Sequence, residues 1–547
     1  MEANEAAYQK PKRIFEDSGN VNPGEAYYIP LDNVTNTKNQ DIKTIVDNGR
    51  YFSMFAPRQS GKTTFLEEVC SQLHKSPAYV AVFLCFQDSK NLDKSEFYSS
   101  IERELYKQLL NRLKEVRCEK IKTVDRLLKE HRLTNHISFR LLFEELNRII
   151  ESKKIVVFID EFDGIPLSEL ENFLTTIRQL YIKYKKAEKK ALYSIGLIGI
   201  RNITKLIVGG VSPFNIADQV DLPPFSLKNV YDLYSQYTRE TNQPFTRDAV
   251  RKVHEETGGQ PWLVNRLGTI LTVDVKPETT VPIDEKDVEQ AIRILLQERN
   301  VHFDNLYEKA VLYKETFVEI VFDHVEYNPD DQDQTWLEQY GLVMQKESKA
   351  VVANNIYKAR YLKTFFKEVN AYRDIALQEY QLPGNRLDME RILLDFERYI
   401  AQIEVNAFYQ KWAAPVLEGG EDITDTKPYE KTGQFLLTAW LYQFVRGGAG
   451  ELRYEVLSGL GRLDVLLTYK SRKYIIETKI NRRKLTRTLK DGITQLSMKY
   501  LASESAHEGY LIVFDTKTPV GEDCEPQYHE VGNKRITSFN IAFGKDS

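Results

Sequence analysis

The sequence predicts an α/β protein of several domains, with a parallel sheet covered by helices in its first part and a smaller sheet in its last part. The chain has 547 residues, several times the length that one hydrophobic core usually organises. From about residue 41 to residue 224, short apolar runs rich in β-branched and aromatic residues alternate with long amphipathic stretches. This alternation is typical of parallel strands that are connected by helices.

The composition indicates a folded protein without a strong charge bias. Hydrophobic residues make up 42% and charged residues 28% of the chain, as in ordinary globular proteins. A net charge of -4 gives no overall attraction to nucleic acid, so such contacts would need a local basic patch. The four cysteines lack the spacing of a zinc site or a disulfide framework. With a polar start and no apolar run of about 20 residues, we expect a cytoplasmic protein without a membrane span.

Changes of pattern along the chain predict six parts. The strands predicted for the first sheet are residues 51–56, 79–86, 154–160, 194–200 and 205–210. The parts are an N-terminal segment (1–40), a sheet-containing core (41–225), a helical lid (226–283), a winged-helix-like domain (284–370), a helical connector (371–420) and a final domain (421–547). The lid is predicted from two helices interrupted by Gly258, Gly259 and Pro261. The winged helix is predicted from a helix followed by two short strands.

A phosphate-binding loop is predicted in the segment FAPRQSGKTTFLEEV, between a strand and an amphipathic helix. Backbone N–H groups of such a loop bind phosphates together with the helix N-terminus. Lys62 would contact the β- and γ-phosphates and Thr63 would bind Mg²⁺, although Ala56 stands where the usual pattern has glycine. The alternative is a chance Gly-Lys-Thr in a turn. The residues predicted to bind nucleotide here are Pro57, Arg58, Gln59, Ser60, Gly61, Lys62, Thr63 and Thr64.

Two carboxylates follow a later apolar strand in the segment KIVVFIDEFDG. Asp160 would hold Mg²⁺ through water, and Glu161 would polarise the attacking water, unless both are ordinary charges at a strand end. Arg201 follows another predicted strand as a candidate γ-phosphate sensor, with a solvated arginine as an equal alternative. Arg178 is a weaker candidate for an arginine finger acting on a neighbouring copy, and a plain surface arginine is the favoured interpretation.

The order of the motifs PRQSGKTT, VVFIDEFD, SPFNIAD, DLPPFSL and TGGQPWLVNRL resembles the AAA-like branch of the STAND and archaeal ATPase families over about residues 25–290. The resemblance implies a P-loop ATPase core at 41–225 that binds ATP and Mg²⁺, with the GGQP turn of the lid near the nucleotide. It also implies a winged helix after the lid and the use of ATP as a switch. We further expect a homo-oligomer that assembles through the ATPase.

A second set of charged residues lies in the segment GRLDVLLTYKSRKYIIETKI. A hairpin of two strands would bring Asp464 close to Glu477, and Lys479 would share a face with Glu477. Such carboxylates bind Mg²⁺, which activates water, while a lysine positions the nucleophile. The main-chain carbonyl of Thr478 would add a metal ligand.

These residues and the order of the surrounding elements resemble the core of PD-(D/E)XK nucleases. The resemblance adds Glu430 as a metal-binding or supporting carboxylate, although a Glu at a helix start also favours the helix dipole. It adds Gln495 as a site residue, with an ordinary helix-surface Gln as the equal alternative. The complete fold prediction is therefore an α/β multidomain protein: a P-loop parallel-sheet ATPase with a helical lid, a winged helix and a C-terminal α/β restriction-endonuclease-like domain.

A basic run follows the second motif and would bind nucleic acid beside it, unless it is only a solvated face. Its residues are Arg482, Arg483, Lys484, Arg487 and Lys490. The predicted function is an ATPase that controls a nuclease dependent on Mg²⁺, or Mn²⁺, with DNA as the expected substrate. Family analogy suggests prokaryotic genome defence or mobile elements. The alternatives are a nucleotide-dependent switch with an inactive nuclease fold that binds nucleic acid or protein, and a signalling ATPase that assembles through its lid and winged helix.

Overall fold

The fold was analysed in a computed structural model. It describes residues 7–31, 33–185, 192–200, 216–322, 325–361, 377–402, 427–445, 450–458, 461–470, 472–481, 484–504, 506–519 and 525–544. The chain divides into two compact units. The first comprises residues 1–309, 328–345 and 353–356, and the second comprises 310–327, 346–352 and 357–547. Within the described ranges, none of the helices combines the length and the apolar content needed to cross a membrane.

A five-stranded sheet organises the first unit. Its strands are β1 (Phe52–Phe55), β2 (Tyr79–Cys85), β3 (Lys154–Asp160), β4 (Ser194–Gly199) and β5 (Asp218–Val220), in the order β2-β3-β4-β1-β5. All neighbouring strands are parallel. β4 is buried along its whole length, as expected for a strand in a sheet with helices on both faces. The predicted parallel sheet is thus confirmed, while the strand predicted at 205–210 lies outside the described residues.

Helices connect the strands of this sheet. They are α1 (Ile42–Asp47), α2 (Lys62–His74), α3 (Lys94–Glu115), α4 (Ile121–Glu130), α5 (His136–Ile149) and α6 (Leu167–Tyr184), with a 3₁₀ turn at Phe162–Gly164. Three of them, α3 to α5, form the connection between β2 and β3. Phe97, Leu105 and Phe139 on this connection are fully buried in one core together with residues of the sheet. The connection is therefore part of the first unit's core.

The lid region is helical. Its helices are α7 (Leu227–Thr241), α8 (Arg247–Thr257) and α9 (Pro261–Thr269), with a π-helical turn at Ile270–Val275. The elements that follow are α10 (Glu285–Leu295), α11 (Val301–Leu312), α12 (Lys314–Phe322), α13 (Gln332–Gln339), β6 (Val343–Lys346) and β7 (Lys349–Val352). The predicted break at Gly258 and Gly259 separates α8 from α9, and both glycines have positive φ. α13, β6 and β7 lie in the region where the sequence predicts the helix and the two short strands of a winged helix.

The second unit contains a six-stranded sheet. From residue 381 onward, the helices and strands of this unit are β8 (Gln381–Leu382), β9 (Arg386–Leu387), α14 (Met389–Gln402), α15 (Lys427–Val445), β10 (Gly450–Ser458), β11 (Gly461–Tyr469), β12 (Arg472–Ile480), α16 (Leu485–Gln495), α17 (Leu501–Ser503), β13 (Glu508–Pro519), β14 (Gln527–Val531) and β15 (Lys534–Gly544), with a π-helical turn at Leu496–Tyr500. β8 and β9 form a separate two-stranded sheet, and the other six strands form the large sheet. The strand order is β10-β11-β12-β13-β15-β14. β10 to β12 form an antiparallel meander, and β12, β13 and β15 are parallel. β14 and β15 were not among the predicted strands.

Two helices cover opposite faces of β13, and each approaches the strand through a glycine. A Cβ at Gly433 of α15 would lie 2.6 Å from the ring of Phe514, and a Cβ at Gly492 of α16 would lie 2.6 Å from the side chain of Leu511. Residues an odd number of positions apart on a strand point to opposite faces. The sheet of the second unit is therefore the middle layer between α15 and α16.

The capping box of α3 generates a stability prediction. Asp93 accepts a hydrogen bond from the backbone N–H of Glu96 at 2.9 Å, and the Glu96 side chain accepts one from the N–H of Asp93 at 3.1 Å. We expect Asp93→Ala to lower the free energy of unfolding by about 1 kcal/mol, measured by urea unfolding followed by circular dichroism. Ser99→Ala, at an exposed position of the same helix, is the control and should change stability by less than about 0.5 kcal/mol. Equal stability of the two variants would contradict this role of Asp93.

Candidate functional sites

The loop between β1 and α2 turns sharply and encloses a lysine. Gln59 and Gly61 have positive φ values of 57° and 86°, whereas Ala56 is not among the residues with positive φ. Replacement of the usual glycine by Ala56 therefore causes no backbone strain there. Lys62 is 5% exposed, and its ammonium donates hydrogen bonds to the carbonyls of Ala56 and Pro57 at 2.8 Å and 2.7 Å. Burial lowers the pKa of Lys62.

The carboxylates after β3 lie next to this loop. The Thr63 hydroxyl donates to Asp160 Oδ2 at 2.6 Å, so the two predicted Mg²⁺ ligands are in direct contact. Glu161 has the left-handed conformation, with φ 49° and ψ 44°, and its N–H donates to Asp160 Oδ1 at 2.9 Å. Burial raises the pKa of Glu161, and the positive charge of Lys62 acts against this shift. Backbone strain of this kind at a charged residue is typical of functional sites.

The lid contacts the loop through Gln260, which belongs to the GGQP turn expected near the nucleotide but is not among the predicted site residues. Gln260 Nε2 donates to the carbonyl of Gln59 at 3.2 Å, and Gln260 Oε1 accepts from the N–H of Leu263 at 2.6 Å as the N-cap of α9. A Cβ at Gly259 would lie 2.0 Å from the carbonyl oxygen of Phe225, so glycine allows this close approach. The GGQP turn therefore lies against the P-loop, and its side-chain cap was the available sequence signal for Gln260.

The other residues predicted at the first site range from hydrogen-bonded loop residues to an exposed arginine. Ser60 Oγ donates to the carbonyl of Pro57 at 2.8 Å, and Thr64 Oγ1 accepts from the N–H of Val21 at 3.3 Å, while Arg58 is exposed. Arg178 lies on α6, and its Nε is buried without a hydrogen-bond partner. Arg201 and the SPFN motif lie outside the described residues.

Oxygen ligands at this site suit a magnesium ion. Mg²⁺ in nucleotide sites is held by one or two protein oxygens together with waters and phosphates, and the adjacent oxygens of Thr63 and Asp160 provide such a pair. Among the residues that the structure describes, no group of three or more His, Cys, Asp or Glu side chains is arranged to hold a metal. A metal at this site would therefore depend on ligands from a bound nucleotide and water.

The second site lies where β11 and β12 pair. The antiparallel register joins Val465 to Ile476, so Asp464 and Glu477 are the next residues along the two strands. Asp464 Oδ2 accepts hydrogen bonds from the N–H and the hydroxyl of Thr478, both at 2.7 Å. Gln434 of α15 donates to the same hydroxyl at 2.6 Å. Asp464 is thus held in place by a chain of contacts that begins on a helix.

Glu477 is the most perturbed group of this site. Its side chain is buried, Oε1 accepts from the Lys479 ammonium at 2.5 Å, and Oε2 is buried without a hydrogen-bond partner. Burial raises the pKa of Glu477 to about 8, the charge of Asp464 adds to this shift, and Lys479 opposes it. An unpaired buried carboxylate oxygen is costly, and a divalent cation would satisfy it. The donor set therefore fits a metal bound between Asp464 and Glu477.

The two predicted supporting residues of the second site are Gln495 and Glu430, and the structure describes a side-chain contact for Gln495. Gln495 ends α16, and its Nε2 donates to the Tyr500 hydroxyl at 2.7 Å across a π-helical turn. Tyr500 is not among the predicted site residues. Burial raises the pKa of its hydroxyl, and the negative charges of Glu477 and Asp464 raise it further. α15 begins at Lys427, so Glu430 lies in its first turn, but the side chain of Glu430 lies outside the described residues.

The structure describes three of the five basic residues that the sequence predicts near the second site. Lys484 directly precedes α16, and Arg487 and Lys490 are exposed on it. Arg487 Nε lies 4.0 Å from Asp491 Oδ2, a weak exposed ion pair. Arg482 and Arg483 lie outside the described residues. Three of the five predicted basic residues therefore lie at the start and on the surface of α16.

Comparison with known families identifies the domain that contains the first site. The model of the AAA-like domain family matches residues 16–364, which is more than half of the chain. The chain belongs to this AAA-like family. The match includes the P-loop, Asp160 and the lid, and it implies nucleotide binding by this AAA-like domain.

Solved structures with a similar fold are distant from the AAA-like chain in sequence. The Walker-type ATPase PABY2304 of Pyrococcus abyssi is 12% identical, with a TM-score of 0.42, over 60% of this chain and 98% of its own. The RuvB Holliday junction branch migration motor of Thermotoga maritima is 13% identical, with a TM-score of 0.30, over 58% and 90% of the two chains. Cdc6p of Pyrobaculum aerophilum is 11% identical, with a TM-score of 0.30, over 58% and 88%. No curated protein sequence matches the chain.

The raised pKa of Glu477 predicts a pH-dependent stability of the second unit. The folded carboxyl group keeps its proton up to about pH 8, whereas the ordinary value is 4.5. The folded state therefore binds more protons between these values, and stability falls as pH rises through this window, by up to about 1.4 kcal/mol per pH unit. In metal-free protein, calorimetry should show a thermal midpoint that falls from pH 5 to pH 8, with a smaller fall in Glu477→Gln.

An exposed glutamate of the same sheet provides the control for this measurement. Glu530→Gln, on the exposed part of β14, should retain the pH profile of the wild type. Parallel profiles of the wild type and Glu477→Gln would show that the carboxyl group of Glu477 is not the source of the pH dependence.

Proposed function

We propose that this protein hydrolyses ATP in its AAA-like domain and thereby controls a Mg²⁺-dependent nuclease in its second unit, with DNA as the expected substrate. The observation that supports this most is the buried, half-unpaired carboxylate of Glu477 beside Asp464 and Lys479. Membership of the AAA-like family supports the nucleotide-binding part. The control of one site by the other is inferred from their presence in one chain.

At the first site, the chain supplies a lysine, a hydroxyl and two carboxylates for ATP and Mg²⁺. Thr63 and Asp160 would hold Mg²⁺, which neutralises charge on the phosphates. Lys62 would exchange its two carbonyl partners for phosphate oxygens. Glu161 would orient the attacking water. We also assign Arg201 to this site, as a residue that contacts the γ-phosphate.

Two substitutions test ATP hydrolysis. Lys62→Ala should abolish binding of ATP, because its ammonium is the buried positive group that the loop encloses. Glu161→Gln should retain binding and lower kcat by about 100-fold or more, the usual contribution of a general base. Phosphate release and calorimetric ATP binding measure the two effects. Lys75→Ala, an exposed lysine at the end of α2, is the control, and equal kcat for Glu161→Gln and the wild type would exclude the proposed role.

At the second site, Asp464, Glu477 and the main-chain carbonyl of Thr478 would hold Mg²⁺ or Mn²⁺, which supplies an activated water and neutralises the phosphate. Lys479 would position the nucleophile, because its ammonium contacts Oε1 of Glu477 and would therefore lie beside a metal bound at Oε2. Thr478 and Gln434 keep Asp464 oriented. Glu430 and Gln495 are proposed as supporting residues.

Nucleic acid would bind beside this centre through the basic residues of α16 and the segment before it. Arg482, Arg483, Lys484, Arg487 and Lys490 are the proposed contacts. Such contacts with phosphates weaken steeply as salt concentration rises. Because the net charge of the chain is -4, the affinity would depend on this local patch and not on the charge of the whole protein.

Cleavage assays test the nuclease. Wild-type protein should cleave plasmid or single-stranded DNA with Mg²⁺ or Mn²⁺ and lose this activity with a chelator. Lys479→Ala and Glu477→Gln should each lower the rate by about 100-fold or more. Lys473→Ala is the matched control, because Lys473 lies on the same strand but pairs with Glu504 at 2.6 Å. RNA is tested in parallel, and reactions contain ATP, ADP or no nucleotide.

The outcomes separate the proposed functions. No cleavage of any substrate, with ATP-dependent binding of DNA, would favour a binding switch with an inactive nuclease fold. Equal cleavage by the wild type and Lys479→Ala would assign the activity elsewhere. Equal rates with ATP, ADP and no nucleotide would contradict the control of the nuclease by the AAA-like domain.

Further parts of the proposal rest on the resemblance alone. We propose that residues 284–370 contain a winged helix, which includes α13, β6 and β7. We also propose that the chain is divided into the six parts predicted from its sequence. Assembly into a homo-oligomer through the AAA-like domain and a role in genome defence or mobile elements are proposed on the same basis.

A further inference from the structure

One peptide group at the end of β4 is hydrogen-bonded on both sides. Its carbonyl, that of Gly199, accepts from the N–H of Ala56 at 3.2 Å. Its N–H, that of Ile200, donates to Asp163 Oδ2 at 2.5 Å. The first bond leads to the start of the P-loop, and the second leads to the 3₁₀ turn directly after Glu161. A single peptide therefore joins the two segments that carry the predicted ATP and Mg²⁺ ligands.

The fit around this peptide is tight. A Cβ at Gly199 would lie 2.6 Å from Asp163 Oδ2, and a Cβ at Gly164 would lie 1.8 Å from the carbonyl oxygen of Phe86. The N–H of Phe86 in turn donates to the carbonyl of Asp160 at 3.0 Å. The turn that contains Asp163 is thus held between the ends of β2 and β4, with little room for another arrangement.

Asp163 also lies within electrostatic range of the reactive groups. Burial lowers the pKa of Lys62, and the negative charge of Asp163 opposes that shift. Burial raises the pKa of Glu161, and the charge of Asp163 adds to that shift. The register of β1 with β4 already ends at Phe55 and Gly199. The bonds to Ala56 and Asp163 therefore act beyond the regular pairing, at the carboxyl ends of the strands, where ligands bind in open α/β sheets.

We propose that Asp163 is a positioning residue of the AAA-like domain. Its carboxylate fixes the Gly199–Ile200 peptide, which keeps the P-loop and the Asp160–Glu161 turn in one arrangement around a nucleoside triphosphate and its divalent cation. The inference rests on the proposed ATP hydrolysis. Displacements of about 1 Å among such groups can lower a rate by about 100-fold, so the loss should appear in kcat more than in KM.

The test compares two substitutions at this position. Asp163→Ala removes the acceptor for the N–H of Ile200 and should lower kcat by about tenfold to 100-fold, with KM changed by less than about threefold. Asp163→Asn keeps an acceptor oxygen and should restore most of kcat. The rate of phosphate release is divided by the concentration of bound nucleotide, because misfolded protein that binds no nucleotide would otherwise lower the apparent kcat.

A destabilising variant elsewhere in the unit controls for a purely structural role. Asp93→Ala is expected to lower stability without contact to the site and should retain the wild-type kcat. The inference is overturned if Asp163→Ala retains kcat per bound nucleotide. It is also overturned if Asp163→Asn and Asp163→Ala lose activity equally, because the hydrogen bond would then not be what matters.

Failure of the proposed ATPase would be recognised separately. If the wild type releases no phosphate, that function has failed, and the ratio of ATP affinity to ADP affinity then decides the role of Asp163. If Asp163 is a positioning residue, Asp163→Ala should lower the ratio of ATP affinity to ADP affinity. The affinity for ADP should stay within about threefold of the wild type. An unchanged ratio overturns the inference.

Discussion

The contact between Thr63 and Asp160, at 2.6 Å, depends on the order of strands in the first sheet. Thr63 follows β1 and Asp160 ends β3, and these strands are not neighbours, because β4 lies between them. β4 ends at Gly199, where a Cβ would lie 2.6 Å from Asp163 Oδ2. The peptide that follows is bonded to both flanking segments. The geometry of the nucleotide site is thus a property of three parallel strands and not of the P-loop alone.

A different constraint governs the second unit, where a carboxylate is buried within a sheet. Glu477 is 0% exposed, and the lysine two residues later reaches only one of its oxygens. Partial pairing of a buried charge is unfavourable, and the raised pKa expresses this cost as a preference for the protonated form. A bound cation would reverse that preference. Metal affinity and protonation at this site are therefore opposed, and both depend on the burial of Glu477.

Local patterns predicted the elements of both sites. The P-loop, the strand before Asp160 and the two strands with Asp464 and Glu477 could be read from apolar periodicity and short motifs, because strand and helix signals lie within a few residues. The hairpin of β14 and β15 also had a local signal, the turn around Gly532 with its positive φ. It was missed because the alternation of β14 is weak, with mostly exposed residues.

Contacts between distant residues could not be predicted in the same way. Nothing near Asp163 in the sequence indicates a bond to Ile200, and the partner of Gln495 depends on a π-helical turn that adds one residue between it and Tyr500. A regular helix would place residues five apart on different faces. Such positions follow from the packing of whole elements, so their roles emerge only from the three-dimensional structure.

Gln260 shows how the nucleotide site and the lid share one contact. Its amide accepts from the first turn of α9 and donates to the carbonyl of Gln59 in the P-loop. The second bond exists only while Gln59 keeps its left-handed backbone conformation, with φ 57°, which a non-glycine residue adopts at some cost. The cap bond to Leu263 uses Oε1 of Gln260, whereas the bond to the P-loop uses Nε2. One amide therefore bonds at its two ends to the first turn of α9 and to the P-loop.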